Sequence, residues 1–571
     1  MVKNWIIKQQ GDEKIVQHLQ EVLGIDRPIA NLLQQRGIYS YEEAKNFFRP
    51  ELTQLHDPFL MKDMDRAVER INRAIASGEK IMIYGDYDVD GTTAVALVYS
   101  YFKDYFPEII YYIPDRDNEG YGISFKGIDF AAANSVRLVI ALDCGIKANE
   151  KILYSNSKGV DFIICDHHTV GTKIPEAFAI LDPKRPDCNY PFKELSGCGV
   201  GFKLIQAFHS TRNLPFEGLI KYLDLLAVSI ASDIVPITGE NRVLAFFGLK
   251  QINEKPSMGI GTLIKLAGIQ NKVINIEDIV FKIGPRINAA GRMESGRKSV
   301  ELLISDDTGL AQIMGTRIND FNSTRRNVDS SITQEALTMI QMDESMKNRK
   351  STVLYNPKWH KGVIGIVASR LMDHYYRPTV ILTRSNDLAT GSARSVNGFD
   401  LYQAIEECSD LLENFGGHKY AAGLSMKLNN VSAFQERFER VVNQMIQPDQ
   451  LIPVVEIDTE LQLSEINDKF YRILKQFQPF GPENMAPVFL TENVSDNGNG
   501  KPVGINSEHL RLSLVHEKDP YKVFPAIAFQ QGKLHGKISG GQGFDICYSL
   551  GENVFKGETS IQINIKDIKV D

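Results

Sequence analysis

The stretch IMIYGDYDVDGTTA, residues 81–94, points to both the fold class and the chemistry of this chain. A short apolar run delivers Asp86, Asp88 and Asp90 at every second position, followed by Gly91 and two threonines that can open a helix. If the segment stays extended, alternate side chains share one face and the carboxylates converge. Carboxylates this close repel each other unless cations neutralise them, and hard divalent metals bind oxygen ligands of this kind. The alternatives are a polar loop or a calcium-type loop, although the glycine and distal glutamate spacing of an EF-hand is missing.

Four further apolar runs are separated by helix-length stretches. They are IIYYI (109–113), LVIAL (138–142), DFIIC (161–165) and FAIL (178–181). Short apolar runs alternating with helical stretches predict βαβ units and a parallel sheet buried on both faces. In open parallel sheets, ligands bind outside the carboxyl ends of the strands.

Polar residues follow the ends of such runs. Asp143 follows LVIAL, and Asp166, His167 and His168 close the segment that begins with DFIIC. Asp233 follows another apolar run, LLAVSIAS, and is taken as a fourth strand end. Each residue alone has an ordinary explanation, such as a helix cap, a core histidine or a turn residue. Together they predict a metal site at one edge of the sheet.

The predicted ligands are carboxylates and imidazole, with no thiolate. This set favours Mn²⁺ or Mg²⁺ over Zn²⁺. Two such ions roughly 3.5–4 Å apart suit in-line displacement at phosphorus. The sequence therefore predicts a two-metal phosphoesterase.

Composition adds limits rather than a function. The formal net charge is −7, so any nucleic-acid site has to be a local basic groove. The six cysteines include no C-x-x-C pair, which favours isolated thiols in a reducing compartment over a zinc site. The first residues, MVKNWIIKQQ, are too polar for a signal peptide, and a cytoplasmic location is expected.

The order of element types predicts an α/β protein of five regions. They are a helical region at 1–75, a parallel-sheet domain at 76–240, a helical region with a long connector helix at 241–348, a smaller α/β domain at 349–447 and a small antiparallel β-barrel at 454–571.

Four motifs, GDYDVDG, ALDCG, CDHH and ASDIVPI, resemble in this order the motifs of the DHH phosphoesterase family. The resemblance implies that the metal ligands are Asp86, Asp88, Asp90, Asp143, His167 and Asp233, with Asp143 as a bridge. It further implies catalytic roles for Asp143, Asp166, His167 and His168. The related family II inorganic pyrophosphatases have a histidine ligand where this chain has Tyr84, so the first metal site has to be completed differently here, for example by Asp86.

The smaller α/β domain contains WHKGVIGIVASRL, GSARSVNGFDL and FGGHKYAAGLSM. Glycines beside Ser392, Arg394 and His418 permit close backbone approach, and an arginine can grip phosphate with two nitrogens. The GGH and AAG pair is equally compatible with a tight turn that feeds a helix. As a set these segments resemble the substrate-binding DHHA1 domain, which places the expected active site in the cleft between the two α/β domains.

Two segments, IPDRDNEGYG and GPRINAAGRM, resemble the RecJ branch of the DHH family, and the C-terminal region resembles the OB-fold domain of that branch. The resemblance implies that a terminal 5′-phosphate is bound by Arg116, Arg292, Ser392 and Arg394, with His418 nearby, and that Tyr121 stacks near the first bases. A structural ion pair with Asp115 or Glu294 is the alternative for the first two arginines. In the barrel, candidate platforms for stacked bases are Tyr521, Phe524 and Phe529.

The branch resemblance implies a metal-dependent 5′→3′ exonuclease that degrades single-stranded DNA to 5′-mononucleotides in repair and recombination. Single-strand-binding protein and a RecQ-type helicase are the implied partners. One alternative is a DHH enzyme acting on short oligonucleotides, cyclic dinucleotides or pyrophosphate, and the barrel argues against it. Another is a non-catalytic replication scaffold, which the complete set of motif carboxylates argues against.

Overall fold

The computed structural model describes residues 3–116, 118–517, 519–555 and 557–570. It forms two compact units, and the chain passes between them more than once. The first unit comprises Pro50–Val328 and Pro479–Asn484. The second unit comprises Met1–Arg49, Asp329–Gln478 and Met485–Asp571.

The first unit is built on a five-stranded sheet in which every pair of neighbours is parallel. Its strands, in spatial order, are Ile109–Tyr112, Lys80–Gly85, Val136–Leu142, Asp161–Cys165 and Ala179–Leu181. Successive residues of one strand enter different cores: Ile83 belongs to the larger cluster and Tyr84 to the smaller one. A sheet packed on both faces requires apolar residues at consecutive positions, which confirms the prediction from the apolar runs.

Helices surround this sheet. The α-helices of the first unit are Met64–Ala76, Val89–Lys103, Phe125–Ala133, Asn149–Ser157, Gly197–Ser210, Leu223–Ser232, Gly239–Glu254, Met258–Leu266, Ile276–Asp278, Gly284–Met293 and Arg297–Leu303. The run LLAVSIAS lies in the helix Leu223–Ser232, so the expectation that Asp233 follows a strand was wrong. A helix buried on all sides is as continuously apolar as a buried strand, and so the two give the same sequence pattern.

A long polar helix, Thr308–Met342, follows and spans 35 residues, as expected for the connector. It begins within the first unit and ends within the second. None of the helices in the described part of the chain has the length and apolar character needed to cross a membrane.

Residues 1–75 are predicted to be helical, and the part of this region that lies in the second unit contains three helices, Glu13–Leu23, Arg27–Gln35 and Tyr41–Phe48. A short strand, Asn4–Ile7, precedes them and pairs in parallel with Val454–Ile457. Four residues whose partner is so distant in sequence leave no local signal, which explains why the strand was not predicted.

A mixed five-stranded sheet forms the smaller α/β part of the second unit. Its strands, in spatial order, are Asn414–His418, Ala421–Lys427, Leu388–Arg394, Thr379–Ser385 and Thr352–Tyr355. The helices packed with it are Ile364–His374, Leu401–Glu406 and Val431–Met445. The GGH and AAG segments are the two strands of a hairpin, so the alternative of a turn feeding a helix was wrong.

The C-terminal part of the second unit is a closed barrel. Five strands form its wall: Phe489–Asp496, Phe544–Phe555, Glu558–Lys569, Asp519–Ala528 and His509–His516. Short strands Thr459–Glu460 and Lys501–Val503 extend the sheet, and the helices Asp468–Lys475 and His535–Ile538 accompany it. Pairing of Val494 with His516 closes the wall, which confirms the barrel prediction. One neighbouring pair, Asp519–Ala528 with Glu558–Lys569, is parallel, so the barrel is not purely antiparallel.

Candidate metal centre

The acidic segment after the first strand is not extended. The strand ends at Gly85, Asp88 caps the helix Val89–Lys103, and Asp90 lies in the first turn of that helix. The Asp88 carboxylate accepts a hydrogen bond from the Gly91 N–H at 3.1 Å. The carboxylates do come together, but the expectation that they share one face of an extended strand was wrong. The turn from strand to helix brings them together. A Cβ at Gly91 would lie 2.5 Å from the Asp86 carbonyl oxygen, so the turn requires glycine there.

Asp143 lies at the end of the strand Val136–Leu142 in a left-handed conformation, with φ of 59°. Its N–H donates to the Cys165 carbonyl at 2.9 Å. A Cβ at Gly197 would come within 2.5 Å of the Asp143 Cβ, so only glycine fits against this carboxylate. Left-handed non-glycine residues are costly and cluster at functional sites. Gly197 was not identified from the sequence.

Asp90 is held by the N-terminus of the helix Gly197–Ser210. Its Oδ2 accepts from the Gly197 N–H at 2.7 Å, and its Oδ1 accepts from the Cys198 N–H at 2.8 Å. The Ser229 hydroxyl donates a third hydrogen bond to Oδ1 at 2.7 Å. Helix N-termini stabilise anions, so the start of this helix fixes the position of the Asp90 carboxylate. The serine and glycines of SGCGVG, residues 196–201, are the sequence signal that could have identified this helix start.

His167 lies among three carboxylates. Its Nε2 is 3.2 Å from Asp143 Oδ1, 3.5 Å from Asp233 Oδ2 and 3.8 Å from Asp90 Oδ2. Neither ring nitrogen has a hydrogen-bond partner among the described residues, and Asp143 Oδ1 has none either. Buried polar atoms almost always have partners, so these atoms fit a site whose partner is a cation.

In the described part of the chain, three groups of residues could each hold a metal ion. Within each group the ligand atoms lie within 4.8 Å of one another, and the groups share members. They are Asp86 with Asp88 and Asp143, Asp90 with His167 and Asp233, and Asp143 with His167 and His168. Asp143 and His167 each belong to two groups, which is the arrangement that two adjacent ions require.

Burial and mutual repulsion act on these carboxylates. Burial raises the pKa of Asp143 well above its usual range, and the charges of Asp90 and Asp88 raise it further. The pKa of Asp86 is raised by burial and then by Asp88. Asp233 follows the same pattern, with its pKa raised by burial and by Asp90. Cations bound here would remove this repulsion.

Asp166 belongs to none of these groups among the described residues, but it contacts two of their members. Its Oδ1 accepts from His168 Nδ1 at 2.7 Å and from the His167 N–H at 2.8 Å, while Oδ2 accepts from the Ile146 N–H at 2.9 Å. Burial opposes ionisation of Asp166, but these hydrogen bonds outweigh it and lower its pKa to about 2. Burial likewise opposes the charged form of His168, and the Asp166 contact outweighs it to raise the pKa of His168 to about 8. The geometry fits Asp166 as the residue that positions His168.

Tyr121 lies beside the cluster and is 54% exposed. Its hydroxyl is 3.2 Å from the Asp143 carbonyl oxygen and 3.1 Å from His168 Nε2. An exposed ring whose hydroxyl is anchored at the metal site is suited to stacking on a base. Tyr84 does not face the cluster, because its hydroxyl donates to the Gly122 carbonyl at 2.9 Å.

Arg116 and Arg292 both lie near Tyr87. The Arg116 guanidinium is 5.4 Å from the centre of the Tyr87 ring. Burial raises the pKa of Tyr87 to about 12, and the charges of Arg116 and Arg292 partly oppose that shift. Glu294, one of the alternative ion-pair partners, receives a 2.8 Å contact from Arg317.

In the second unit, Ser392 and Arg394 lie on one face of the strand Leu388–Arg394. Arg394 Nη1 donates to the Ser392 hydroxyl at 3.0 Å. A Cβ at Gly365, near the start of the helix Ile364–His374, would lie 2.9 Å from Ser392 Oγ and 3.0 Å from Arg394 Nη2. His418 is exposed and pairs with Ala421, which in turn pairs with Arg394 on the next strand. Glycine, hydroxyl and guanidinium at a helix N-terminus form a site suited to an anion.

Three family models match the chain in order. They are the DHH family N-terminal domain at residues 80–230, the DHHA1 domain at 348–444 and the RecJ OB domain at 457–567. A protein named single-stranded-DNA-specific exonuclease RecJ from Bacillus subtilis (strain 168) is 35% identical over 564 residues, covering 98% of this chain and 70% of that protein. The protein of the same name from Escherichia coli (strain K12) is 30% identical over 95% of both chains.

The chain belongs to the RecJ family. The fold agrees with that assignment. The crystal structure of RecJ in complex with Mn²⁺ from Thermus thermophilus matches with a TM-score of 0.84 and 25% identity, covering 100% of this chain and 80% of that chain. The sequence motifs of the DHH, DHHA1 and OB regions therefore predicted the RecJ fold correctly.

Proposed function

We propose that the chain is a metal-dependent exonuclease that hydrolyses single-stranded DNA from the 5′ end to 5′-mononucleotides, in DNA repair and recombination. The observation that carries the proposal is the set of overlapping ligand groups sharing Asp143 and His167, in a member of the RecJ family. Relatives at 30% and 35% identity bear the name single-stranded-DNA-specific exonuclease.

Two ions of Mn²⁺ or Mg²⁺ fit this donor set, since it contains carboxylate and imidazole but no thiolate. We propose as ligands Asp86, Asp88, Asp90, Asp143, His167 and Asp233, with Asp143 shared. When bound, such ions supply an activated water and stabilise the charge on the leaving oxygen. His168, whose Nδ1 is held by Asp166, belongs to the same ligand group as Asp143 and His167 and would stabilise negative charge on the phosphate.

The chain's other polar residues bind and orient the strand. We propose that Arg116 and Arg292 of the first unit, and Ser392, Arg394 and His418 of the second, bind the terminal 5′-phosphate. Tyr121 stacks on a base near that end. Charge-assisted contacts to phosphate fix the register of the strand, whereas stacking tolerates any base, which suits a nuclease without sequence preference.

The regions divide this work. We propose that residues 76–240 carry the metal site and Arg116, and that 241–348 supply Arg292 and the connector helix. We propose that 349–447 carry the remaining phosphate contacts and 454–571 the track for single-stranded DNA, with 1–75 as a supporting helical region. A RecQ-type helicase and a single-strand-binding protein are the proposed partners, because they produce and cover the substrate. All six cysteines are buried and unpaired, and we propose a cytoplasmic location on that basis.

A digestion assay tests the proposal. Single- and double-stranded DNA labelled at the 5′ or 3′ end is incubated with Mn²⁺, Mg²⁺ or EDTA. We expect the single strand alone to be degraded, a 5′ label to appear at once as a mononucleotide, and EDTA to stop the reaction. Early release of mononucleotides from the 3′ end would contradict the polarity. Hydrolysis restricted to dinucleotides or cyclic dinucleotides would favour the small-substrate alternative.

A further inference from the structure

The described residues between the strand Ile109–Tyr112 and the helix Phe125–Ala133 are 113–116 and 118–124, and they are called the loop below. The loop carries Arg116 and Tyr121. Together with Arg292, these are the residues of the first unit that are proposed to contact the 5′ end of the DNA. Gly120 and Gly122, on either side of Tyr121, have positive φ values of 82° and 79°. Besides the turn hydrogen bonds from the Glu119 and Gly120 N–H groups to the Asp115 carbonyl, side-chain contacts hold this backbone.

Glu119 makes most of those contacts. Its Oε1 accepts from the Asp115 N–H at 2.9 Å, and its Oε2 accepts from the Ser124 hydroxyl at 2.5 Å. The Tyr112 hydroxyl lies 3.0 Å from both oxygens. Tyr112 precedes the loop and Ser124 ends it, so one carboxylate joins the two ends of the loop to its middle.

Tyr84 contacts the loop from the adjacent strand. Its hydroxyl donates to the Gly122 carbonyl at 2.9 Å and accepts from the Ser124 N–H at 3.2 Å. The ring is fully buried and stacks on Tyr112, with ring centres 5.4 Å apart. Through Gly122 this hydroxyl fixes the backbone next to Tyr121, and through Ser124 it fixes the N-cap of the following helix.

We propose that Glu119 and Tyr84 are positioning residues that fix this loop so that Arg116 and Tyr121 meet the 5′ end of the strand. This inference rests on the proposed function. Neither residue touches the reacting atoms: Glu119 acts through the two ends of the loop, and Tyr84 acts through the carbonyl beside Tyr121. Without these side chains the loop loses the hydrogen bonds that join its two ends and the one to the carbonyl beside Tyr121, and the two strand contacts lose their fixed spacing.

Two substitutions distinguish a positioning role of Glu119 and Tyr84 from a purely structural role. Glu119→Gln keeps the shape of the side chain but removes its charge and one acceptor oxygen, and Tyr84→Phe removes only a hydroxyl. We expect the KM for 5′-phosphorylated single-stranded DNA to rise about ten-fold, since a charge-assisted hydrogen bond network is lost. The kcat should stay within about three-fold, because the loop contacts the strand equally in the ground state and the transition state.

Tyr101→Phe is the matched control. Tyr101 is also buried in the first unit, and its hydroxyl contacts His209 Nδ1 at 3.1 Å, with no contact to the loop. Tyr101→Phe should lower the melting temperature as much as Tyr84→Phe does, yet leave KM unchanged. A 2-aminopurine at the 5′ end gives a second readout in EDTA, since its fluorescence falls when it stacks on Tyr121. Quenching should weaken in both loop variants and persist in the control.

Two outcomes are distinguishable. If the wild-type protein degrades single-stranded DNA and both loop variants match Tyr101→Phe in KM and in quenching, the positioning role is overturned. If the wild-type protein degrades no single-stranded DNA, the proposed function itself fails. Hydrolysis of the p-nitrophenyl ester of thymidine 5′-monophosphate, which needs the metal site but no extended strand, should remain close to wild type in both variants. A large loss there would also overturn the inference, because the variants would then have damaged the metal site.

Discussion

The parallel sheet of the first unit and the mixed sheet of the second both present polar side chains, but they do so in different ways. In the parallel sheet, Asp143 and His167 come from the ends of two strands and approach each other across the edge. In the mixed sheet, Ser392 and Arg394 are alternate residues of one strand and contact each other on its face. One set is therefore assembled from distant segments, and the other from a single segment.

The two sets also differ in how their charge is balanced. Atoms of Asp143 and His167 are buried without hydrogen-bond partners among the described residues, so their charge calls for an external cation. Arg394 already donates to the Ser392 hydroxyl and to the Ala393 carbonyl, and burial lowers its pKa. Neutral acceptors leave its positive charge uncompensated, which suits an incoming anion. The comparison predicts that the first set fails completely when one member is lost, whereas the second fails by degrees.

The largest effect is expected for Asp143→Ala. Loss of the shared carboxylate should reduce hydrolysis by at least about a thousand-fold, because residues that act as one catalytic unit fail together. The melting temperature in EDTA should not fall, since burial and the neighbouring carboxylates already raise the pKa of Asp143 and disfavour its charge. Addition of Mn²⁺ should raise the melting temperature of the wild type but not of the variant.

Asp129→Ala is the control for this experiment. Asp129 is an exposed carboxylate of the same unit that accepts from the Tyr154 hydroxyl. It should leave turnover and the Mn²⁺-induced rise in melting temperature unchanged. Near-normal turnover in a folded Asp143→Ala protein would contradict the assignment of Asp143 as a shared ligand. It would also contradict the prediction that the set of residues in the parallel sheet fails completely when one member is lost.

The same contrast explains what the sequence could predict about the site. An aspartate directly after a buried apolar run is visible in the sequence, so Asp143 and His167 were identified from their positions. Ser392 and Arg394 are ordinary residues for a half-exposed strand. Their neighbouring glycines are a weak signal, and it was the resemblance to a family that implied their role. Gly197 and Ser229 were missed because their roles, a close approach to Asp143 and a hydrogen bond to Asp90, exist only after distant helices have packed.

The fold shows a similar limit. Apolar runs predicted every strand of the parallel sheet, because consecutive apolar residues fill most of each strand. The same rule failed at LLAVSIAS, where the apolar run is a buried helix. The strand Asn4–Ile7 also escaped prediction, since its pairing with Val454–Ile457 depends on tertiary structure.

A second prediction concerns a strand-end carboxylate outside the ligand groups. Asp182 follows the strand Ala179–Leu181 and is fully buried, and its Oδ2 has no hydrogen-bond partner in the described part of the chain. Burial, and then the charge of Asp166, raise the pKa of Asp182 to about 7, although the Lys184 N–H partly opposes this shift. The folded state therefore favours the protonated form. The free energy of unfolding therefore depends on pH. The stability that comes from protonated Asp182 is fully present below the ordinary carboxyl pKa of about 3.9, and it is lost as the pH rises through the folded-state pKa of about 7.

Asp182→Asn should remove this pH dependence, because an amide does not ionise. In EDTA, we expect the gain in unfolding free energy from the substitution to be about 2–3 kcal/mol larger at pH 8 than at pH 5, since one pKa unit corresponds to about 1.4 kcal/mol. Denaturant unfolding of both proteins at the two pH values measures it. An equal gain at both values would show that Asp182 is ionised in the folded protein throughout this range.

A third prediction tests the mixed sheet. Arg394→Ala should weaken hydrolysis of 5′-phosphorylated strands about ten-fold, and strands without the phosphate should lose much less, because only the former make the charge-assisted contact. The ratio of kcat/KM for the two substrates measures it. Arg384→Ala is the control, since Arg384 lies on the neighbouring strand and is about half exposed. Equal losses on both substrates would mean that Arg394 supports Ser392 and the sheet rather than the phosphate.

The barrel is best tested by single substitutions, because its removal would disturb other parts of the second unit. The strand Asn4–Ile7 pairs with Val454–Ile457, and Trp5 Nε1 donates to Asp567 at 2.9 Å. Three aromatic residues of the barrel were expected to be platforms for bases. Phe524 is buried, so the expectation was wrong for that residue. Tyr521 and Phe529 are exposed, with Tyr521 at 95%.

The smallest effect is therefore expected for Tyr521→Ala. A base stacked on an aromatic ring contributes about 1–3 kcal/mol, and at the low end of that range one lost platform weakens binding of a long single strand about five-fold. The salt dependence of binding should not change, since no phosphate contact is removed.

Ile505→Ala is the control. Ile505 is an apolar barrel residue that is 98% exposed, and its substitution should leave binding unchanged. Turnover of a trinucleotide should stay at the wild-type rate, because every proposed metal and phosphate ligand precedes Gly423 in the chain. A salt titration of binding to a long oligonucleotide decides between the outcomes: unchanged affinity would place Tyr521 outside the path of the strand, and a shallower salt slope would mean that the substitution had disturbed basic residues of the barrel.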